Sequence, residues 1–245
     1  MDKKILAIDT SGLQACAAIV DGYITIGEIA LNARTGEKSW THSEILMPAI
    51  DQLFALTGVS RHNIDYVAYT NGPGSFTGLR IGASVALGLA KGLNKPTIAV
   101  PTLDALAYNM FGMGNESFAK AVVVPLMDAR RSQVYTALYT FDGGCINRIT
   151  EYLAMPILDV VAAVKDYSHV YLLGDGACAY KQEIVEALPQ GIFLPQNNNR
   201  QRASSLALCG ANMLVNGYVP SSEVDIIYVR APQAVQDLKD KQKKL

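Results

Sequence analysis

The chain has 245 residues, half of them hydrophobic, only 18% charged, with a formal net charge of −1. That length accommodates one large domain or two compact lobes. The near-neutral balance argues against a chain that grips nucleic acid unaided, because phosphate neutralisation demands a basic excess.

The low charge content and slightly positive mean hydropathy fit either apolar surface covered by another protein or a well-packed enzyme. No run approaches the ~20 apolar residues of a membrane span. The apolar stretch after the charged start, Met1 to Lys4, breaks at Asp9, too soon for a secretion signal. A cytoplasmic protein without a membrane partner is expected. The four cysteines, Cys16, Cys145, Cys178 and Cys209, show no CxxC spacing and form no zinc pattern with His42, His62 and His169. Reduced thiols follow, and no metal site is expected.

In chain order, Ile5 to Ile8 reads as a buried strand that ends in the polar turn Asp9-Thr10-Ser11-Gly12. Ala15 to Val20 returns as a second strand, Asp21-Gly22 is a hairpin signal, and Tyr23 to Leu31 is a third strand. Thr41 and Glu44 have capping-box spacing, and Leu46, Ile50, Leu53 and Leu56 follow at helical intervals. Pro48 is expected to kink that helix or mark its start, with Gly58 as C-cap. Tyr66 to Thr70 is a strand that runs into Asn71-Gly72-Pro73-Gly74-Ser75. A helix from about Thr77 to Leu93 and a strand from Thr97 to Val100 complete the first half.

The second half repeats the plan. Ala121 to Met127 is a strand ending at Asp128, as the first strand ends at Asp9. Gln133 to Phe141 alternates as one strand, and Asp142-Gly143-Gly144 turns it into Ile146 to Leu153. A helix starts near Pro156, and Val170 to Leu173 is a strand ending in Gly174-Asp175-Gly176. A further helix follows Ala177, and Ser204 is expected to cap a last helix closing at Gly217. The basic tail, Lys239, Lys241, Lys243 and Lys244 interleaved with Asp237 and Asp240, reads as solvated. The order strand-strand-strand-helix-strand-helix thus occurs twice. It resembles the duplicated ribonuclease-H-like α/β fold of actin, the sugar kinases and Hsp70. The expected division is residues 1–104 with 202–217 in one lobe, and 105–201 with 218–245 in the other.

The loop Gly72-Pro73-Gly74-Ser75-Phe76-Thr77-Gly78-Leu79-Arg80 is the most informative stretch. Its glycines permit close backbone approach, and Ser75 or Thr77 can cap a helix whose N-terminus could hold an anion. It lacks the lysine of a Walker loop. Asp9, Thr10, Ser11, Gly72 and Gly74 are the candidate, vestigial cofactor-binding set. A working carboxylate pair of Asp9 and Asp128 is set against turn residues that cap their own backbone. Ser11 has neither a nearby histidine in sequence nor a nucleophile elbow. Along the following helix Gly78, Gly82, Ala86 and Ala90 recur every fourth residue, a stripe that either packs on its own lobe or receives a foreign helix.

Gly-Pro-Gly-Ser-Phe-Thr-Gly-Leu-Arg resembles the signature of the TsaB family, as do Ile8-Asp9-Thr10-Ser11 and His42-Ser43-Glu44 with Leu46 and Pro48; Tyr228-Val229-Arg230 is a weaker match. The likeness is strongest to about Val100. TsaB is similar to TsaD, the catalytic subunit that transfers a threonylcarbamoyl group to N6 of adenosine 37 in ANN-decoding tRNAs. TsaD carries a metal site on a His-x-Glu-Gly-His stretch. The matching stretch here is Thr102-Leu103-Asp104-Ala105-Leu106, with Thr102 and Leu106 at the histidine positions. Leucine cannot bind a metal and threonine is a poor neutral ligand. The resemblance therefore implies a non-catalytic subunit without a cofactor. It implies docking on TsaD through a helical face that includes Leu46, Ile50, Leu53, Gly78, Gly82, Ala86 and Ala90, with TsaE, an ATPase, as a further partner. The resemblance also implies self-association as a homodimer through the same face, with tRNA met only through the complex. An ATPase or phosphotransferase of the same fold is the second reading, and a metallopeptidase the third.

Overall fold

The computed structural model describes residues 3–32, 40–113, 121–142 and 145–230. The Gly143-Gly144 turn and the basic tail lie outside them. The first sheet is built from β1 (Lys4–Asp9), β2 (Gln14–Asp21), β3 (Ile24–Asn32), β4 (Tyr66–Thr70) and β5 (Thr97–Val100) in the order β3-β2-β1-β4-β5. The first three strands are antiparallel neighbours, and β4 and β5 extend the sheet parallel to β1. The second sheet repeats that order as β10-β7-β6-β11-β12, from β6 (Ala121–Asp128), β7 (Gln133–Thr136), β10 (Leu153–Pro156), β11 (His169–Leu173) and β12 (Gly191–Phe193). Its strands are antiparallel on one side of β6 and parallel on the other. The duplication read from turn placement is therefore present in the topology.

Central strands bury both faces, which explains their continuous hydrophobic runs. In β1, Leu6 and Ile8 point to one cluster and Ile5 and Ala7 to another, as the period of two requires. The first cluster lies under α1 (His42–Thr57) and α2 (Phe76–Leu93). The second lies between the sheets, around α3 (Thr102–Ala107) and α7 (Ala203–Val215), and takes residues from both. A third joins the outer side of the second sheet to α4 (Ile157–Val164), α5 (Asp175–Ala179) and α6 (Lys181–Ala187). Helices thus cover both outer faces, and two more lie between the sheets.

The local signals account for the helix ends. Glu44 accepts the Thr41 backbone N–H at 2.7 Å, which opens α1. Gly58 closes it in the left-handed region, φ 66°, with its N–H on the Phe54 carbonyl. Pro48 lies inside α1 rather than at its start. Ser204 does not cap α7; Arg202 occupies that position, and the Ser204 N–H and hydroxyl both donate to Glu28 at 3.0 and 2.9 Å.

Two larger expectations are corrected. The stretch Gln133 to Phe141 is not one strand. It breaks after Thr136, and β8 (Tyr139–Asp142) turns away to pair with β9 (Cys145–Arg148). At the break, the Leu138 N–H donates to Thr150 Oγ1 and the Leu138 carbonyl accepts from Ile149, so the backbone finds partners outside β7. The segment 218–230, expected with the second lobe, instead crosses the first sheet. Ser221 bridges Thr97, Asp225 N–H meets Tyr69 Oη at 3.3 Å, and Ile227 N–H meets the Asn71 carbonyl at 2.7 Å. Only at its end does it reach across, where Arg230 donates to the Ala129 carbonyl at 2.8 Å.

Candidate functional site

The Asp9 turn and the Gly72–Gly74 loop come together at the carboxyl ends of β1 and β4. Asp9 Oδ1 accepts the Ser11 N–H at 2.7 Å and the Thr70 hydroxyl at 3.0 Å. Burial pushes the Asp9 carboxyl above its ordinary value, partly offset by hydrogen bonding from Ser11 and Thr70. The loop docks on the same turn: Ser75 N–H donates to the Ser11 carbonyl at 2.7 Å, and the Thr10 hydroxyl donates to the Gly78 carbonyl at 2.7 Å. Ser75 Oγ accepts the Gly78 N–H at 3.2 Å and so caps α2.

The glycines serve this internal packing. A Cβ on Gly74 would press on the Ser11 backbone, one on Gly78 on the Thr10 carbonyl, and one on Gly72 on the Ile227 carbonyl. Gly72 also needs a φ of 114°, which a side chain resists. Asp9, Thr10, Ser11, Gly72 and Gly74 lie together and pack on one another, with Gly72 also against the Ile227 carbonyl. The counterpart Asp128 behaves alike. It accepts the Arg130 N–H at 2.8 Å and the Tyr180 hydroxyl at 3.2 Å, while Asp175 accepts the Asp128 N–H at 3.0 Å. Both aspartates cap turns.

On α3, Thr102 is fully buried and its Oγ1 accepts the Gly72 N–H at 3.1 Å; Leu106 lies in the inter-sheet core. Asp104, between them, has an assignment that its sequence context did not reveal. Its carboxylate accepts Tyr139 Oη at 2.6 Å and Tyr152 Oη at 2.9 Å, with the Arg148 Nε at 3.8 Å. The Arg148 guanidinium lies 4.2 Å from the centre of the Tyr152 ring. Burial raises the Asp104 carboxyl above its usual range, opposed by the two tyrosyl hydroxyls and by Arg148. This cluster fastens α3 to the second lobe.

The helix faces require a correction. Leu46, Ile50 and Leu53 are at most 2% exposed and pack in the core of their own lobe. Gly78, Gly82, Ala86 and Ala90 are buried too, and the Gly78 and Gly82 positions abut Thr10. The small-residue stripe lets α2 lie close on its own sheet, so none of these seven residues presents a face to another chain. The outward side of α2 carries Phe76, Thr77, Arg80, Ile81, Ser84 and Val85, which line a shallow groove of about 500 Å³. Gly88 continues it into open space, and Met47 and Leu56 are exposed on α1. Phe76, Arg80, Ser84 and Gly88 recur every fourth residue, a second series that the sequence carries beside the glycine stripe.

Comparison with known proteins follows this geometry. The family model for TsaD, tRNA N6-adenosine threonylcarbamoyltransferase, matches residues 36–209. A Bacillus subtilis relative named tRNA threonylcarbamoyladenosine biosynthesis protein TsaB is 30% identical over 221 residues, spanning 88% of this chain and 92% of its own. A protein of the same name from Haemophilus influenzae is 29% identical over 92% of this chain and 93% of its own. Among solved structures, YeaZ from Pseudomonas aeruginosa superposes with a TM-score of 0.72 at 24% identity, covering 92% of this chain and 99% of that one. The ROK hexokinase of Thermus thermophilus superposes with a TM-score of 0.52 at 13% identity, covering 87% of this chain and all of that one, a likeness of fold alone. The two sheets of matching strand order are thus the duplicated fold of the sugar kinases, and the chain belongs to the TsaB family of tRNA threonylcarbamoyladenosine biosynthesis proteins.

Proposed function

We propose that this chain is a non-catalytic subunit in the formation of N6-threonylcarbamoyladenosine in ANN-decoding tRNAs. It docks on a TsaD-like catalytic subunit through the outward sides of α1 and α2 and organises that subunit for turnover. A TsaE-like ATPase joins the pair, the tRNA is held by the assembled complex, and the free chain pairs with itself through the same face.

One observation carries this reading: the two α3 positions that match the metal-binding histidines of TsaD are committed to packing. Thr102 spends its hydroxyl on the Gly72 N–H, and Leu106 is core hydrocarbon. Neither side chain has the donor chemistry that a transition metal selects. The largely apolar groove on α2 adds support, since contiguous exposed apolar surface marks an interface.

The test is assembly. The purified chain, mixed with the purified catalytic subunit, is expected to form a complex detected by size exclusion with light scattering. Ser84→Arg, which puts a long charged side chain at the middle of the exposed groove, should abolish it while circular dichroism shows the fold retained. A complex that survives Ser84→Arg unchanged would reject docking through this face.

A further inference from the structure

The outward face of α2 carries one charged side chain in a constrained setting. The Arg80 guanidinium carbon lies 3.9 Å from the centre of the Phe76 ring. Its Nε donates to Tyr228 Oη at 3.3 Å, and the Phe76 and Tyr228 rings sit 5.5 Å apart. Tyr228 is itself positioned, because the preceding residues are fastened to Asn71, Tyr69 and Thr97 and the following Arg230 to Ala129. Arg80 is nevertheless exposed, and its two terminal nitrogens have no hydrogen bond or ion pair among the described residues.

An arginine ordered through its ring contact and its Nε keeps the outer edge of the fork, two parallel N–H donors, which matches a planar oxyanion. Because that ordering precedes binding, little side-chain freedom is lost when a partner arrives. Ile81 and Val85 flank it along the groove, so a partner helix seated there would cover the ion pair from water, the setting in which Arg and Tyr act as interface anchors.

We propose that Arg80, bracketed by Phe76 and Tyr228, is the charged anchor of the docking face and takes the carboxylate of an acidic side chain on the facing helix of the catalytic subunit. This rests on the docking reading above. A protein carboxylate fits better than a nucleic-acid phosphate. Backbone phosphates are held by several cations acting together, and α2 offers only Arg80 before Lys91 in its last turn. The segment 218–230 then has a role beyond covering β4 and β5: it delivers Tyr228 to the interface.

The test measures the dissociation constant of the full chain with the purified catalytic subunit, by calorimetry at several salt concentrations. Arg80→Gln is expected to weaken binding at least tenfold and to flatten the salt dependence. Tyr228→Ala is expected to weaken it severalfold, and to add nothing when combined with Arg80→Gln. Lysine substitution of the one facing acidic residue on the partner should rescue Arg80→Glu. Ser84→Arg separates the two levels. If it leaves binding intact, docking through this face is wrong and the anchor falls with it. If it breaks the complex while Arg80→Gln binds like the parent chain, the anchor alone is wrong. If Arg80→Gln keeps subunit affinity but lowers tRNA retention by the complex, the fork holds phosphate and the proposal is overturned. Circular dichroism melting of each variant confirms the fold, since Arg80 and Tyr228 are both exposed.

Discussion

Two glycines six residues apart on α2 make the sharpest test of which face is which. Gly82 faces inward, where an added Cβ would press on Thr10 Oγ1. Gly88 faces outward, where a Cβ meets nothing within 4 Å. Either change to alanine gains about 1 kcal/mol of helix propensity. At Gly88 that gain stands alone. At Gly82 it is opposed by overpacking of about 1–3 kcal/mol. The Thr10 hydroxyl must also move, which disturbs its 2.7 Å bond to the Gly78 carbonyl, a further loss of about 1 kcal/mol. Gly82→Ala should therefore destabilise the chain by about 1–3 kcal/mol, and Gly88→Ala should stabilise it by up to about 1 kcal/mol. For a chain of this size the gap corresponds to a difference in melting temperature on the order of 5–15 °C. Calorimetry and urea unfolding of both variants measure it. Equal stabilisation by the two substitutions would show that α2 is not packed on Thr10 through its glycine stripe.

Four further outcomes follow from the packing. Asp104→Ala strips Tyr139 and Tyr152 of their common acceptor and should cost about 1–4 kcal/mol in urea unfolding, from one buried and one half-buried hydroxyl left unpaired. The Asp104 carboxyl is raised in the folded state from a reference of 3.8. Its contribution is therefore complete below that value and lost as pH climbs through the raised folded value, so Asp104→Asn should flatten the fall in stability across that window. Leu106→Ala leaves a cavity between the sheets and should cost about 2–5 kcal/mol by the same measurement. Tyr218→Phe removes the hydroxyl that accepts the Ala99 N–H at 3.2 Å, which should cost about 1–3 kcal/mol and increase amide exchange at Ala99.

Much of the architecture was legible because it rests on short-range chemistry. The Thr41–Glu44 cap, Gly58 in the left-handed region and the Asp9 and Asp128 turns all lie within a few residues of their partners. The facing of α2 was not legible, because the helix is small or apolar all round. Gly78, Gly82, Ala86 and Ala90 define one side, yet Phe76, Ile81, Val85 and Gly88 make the opposite side largely small or apolar too, with Arg80 its one charge before Lys91. The break after Thr136 was hidden for a different reason: the alternation runs straight through it, and the cause is Thr150, across a hairpin. The role of Asp104 depends on tyrosines 35 and 48 residues away. The path of residues 218–230 has no periodicity to read, since its hydrogen bonds go to side chains and strand ends rather than to a ladder.

The chain is proposed to perform no chemistry and to act through contact. The most direct measurement is reconstituted tRNA modification, with threonylcarbamoyladenosine quantified by mass spectrometry after supply of the threonylcarbamoyl adenylate. The chain alone should yield no modified nucleoside, and adding it to the catalytic subunit and the ATPase should raise their yield, an increase that Ser84→Arg removes. Turnover by the isolated chain, or an undiminished yield when it is left out, would contradict the account.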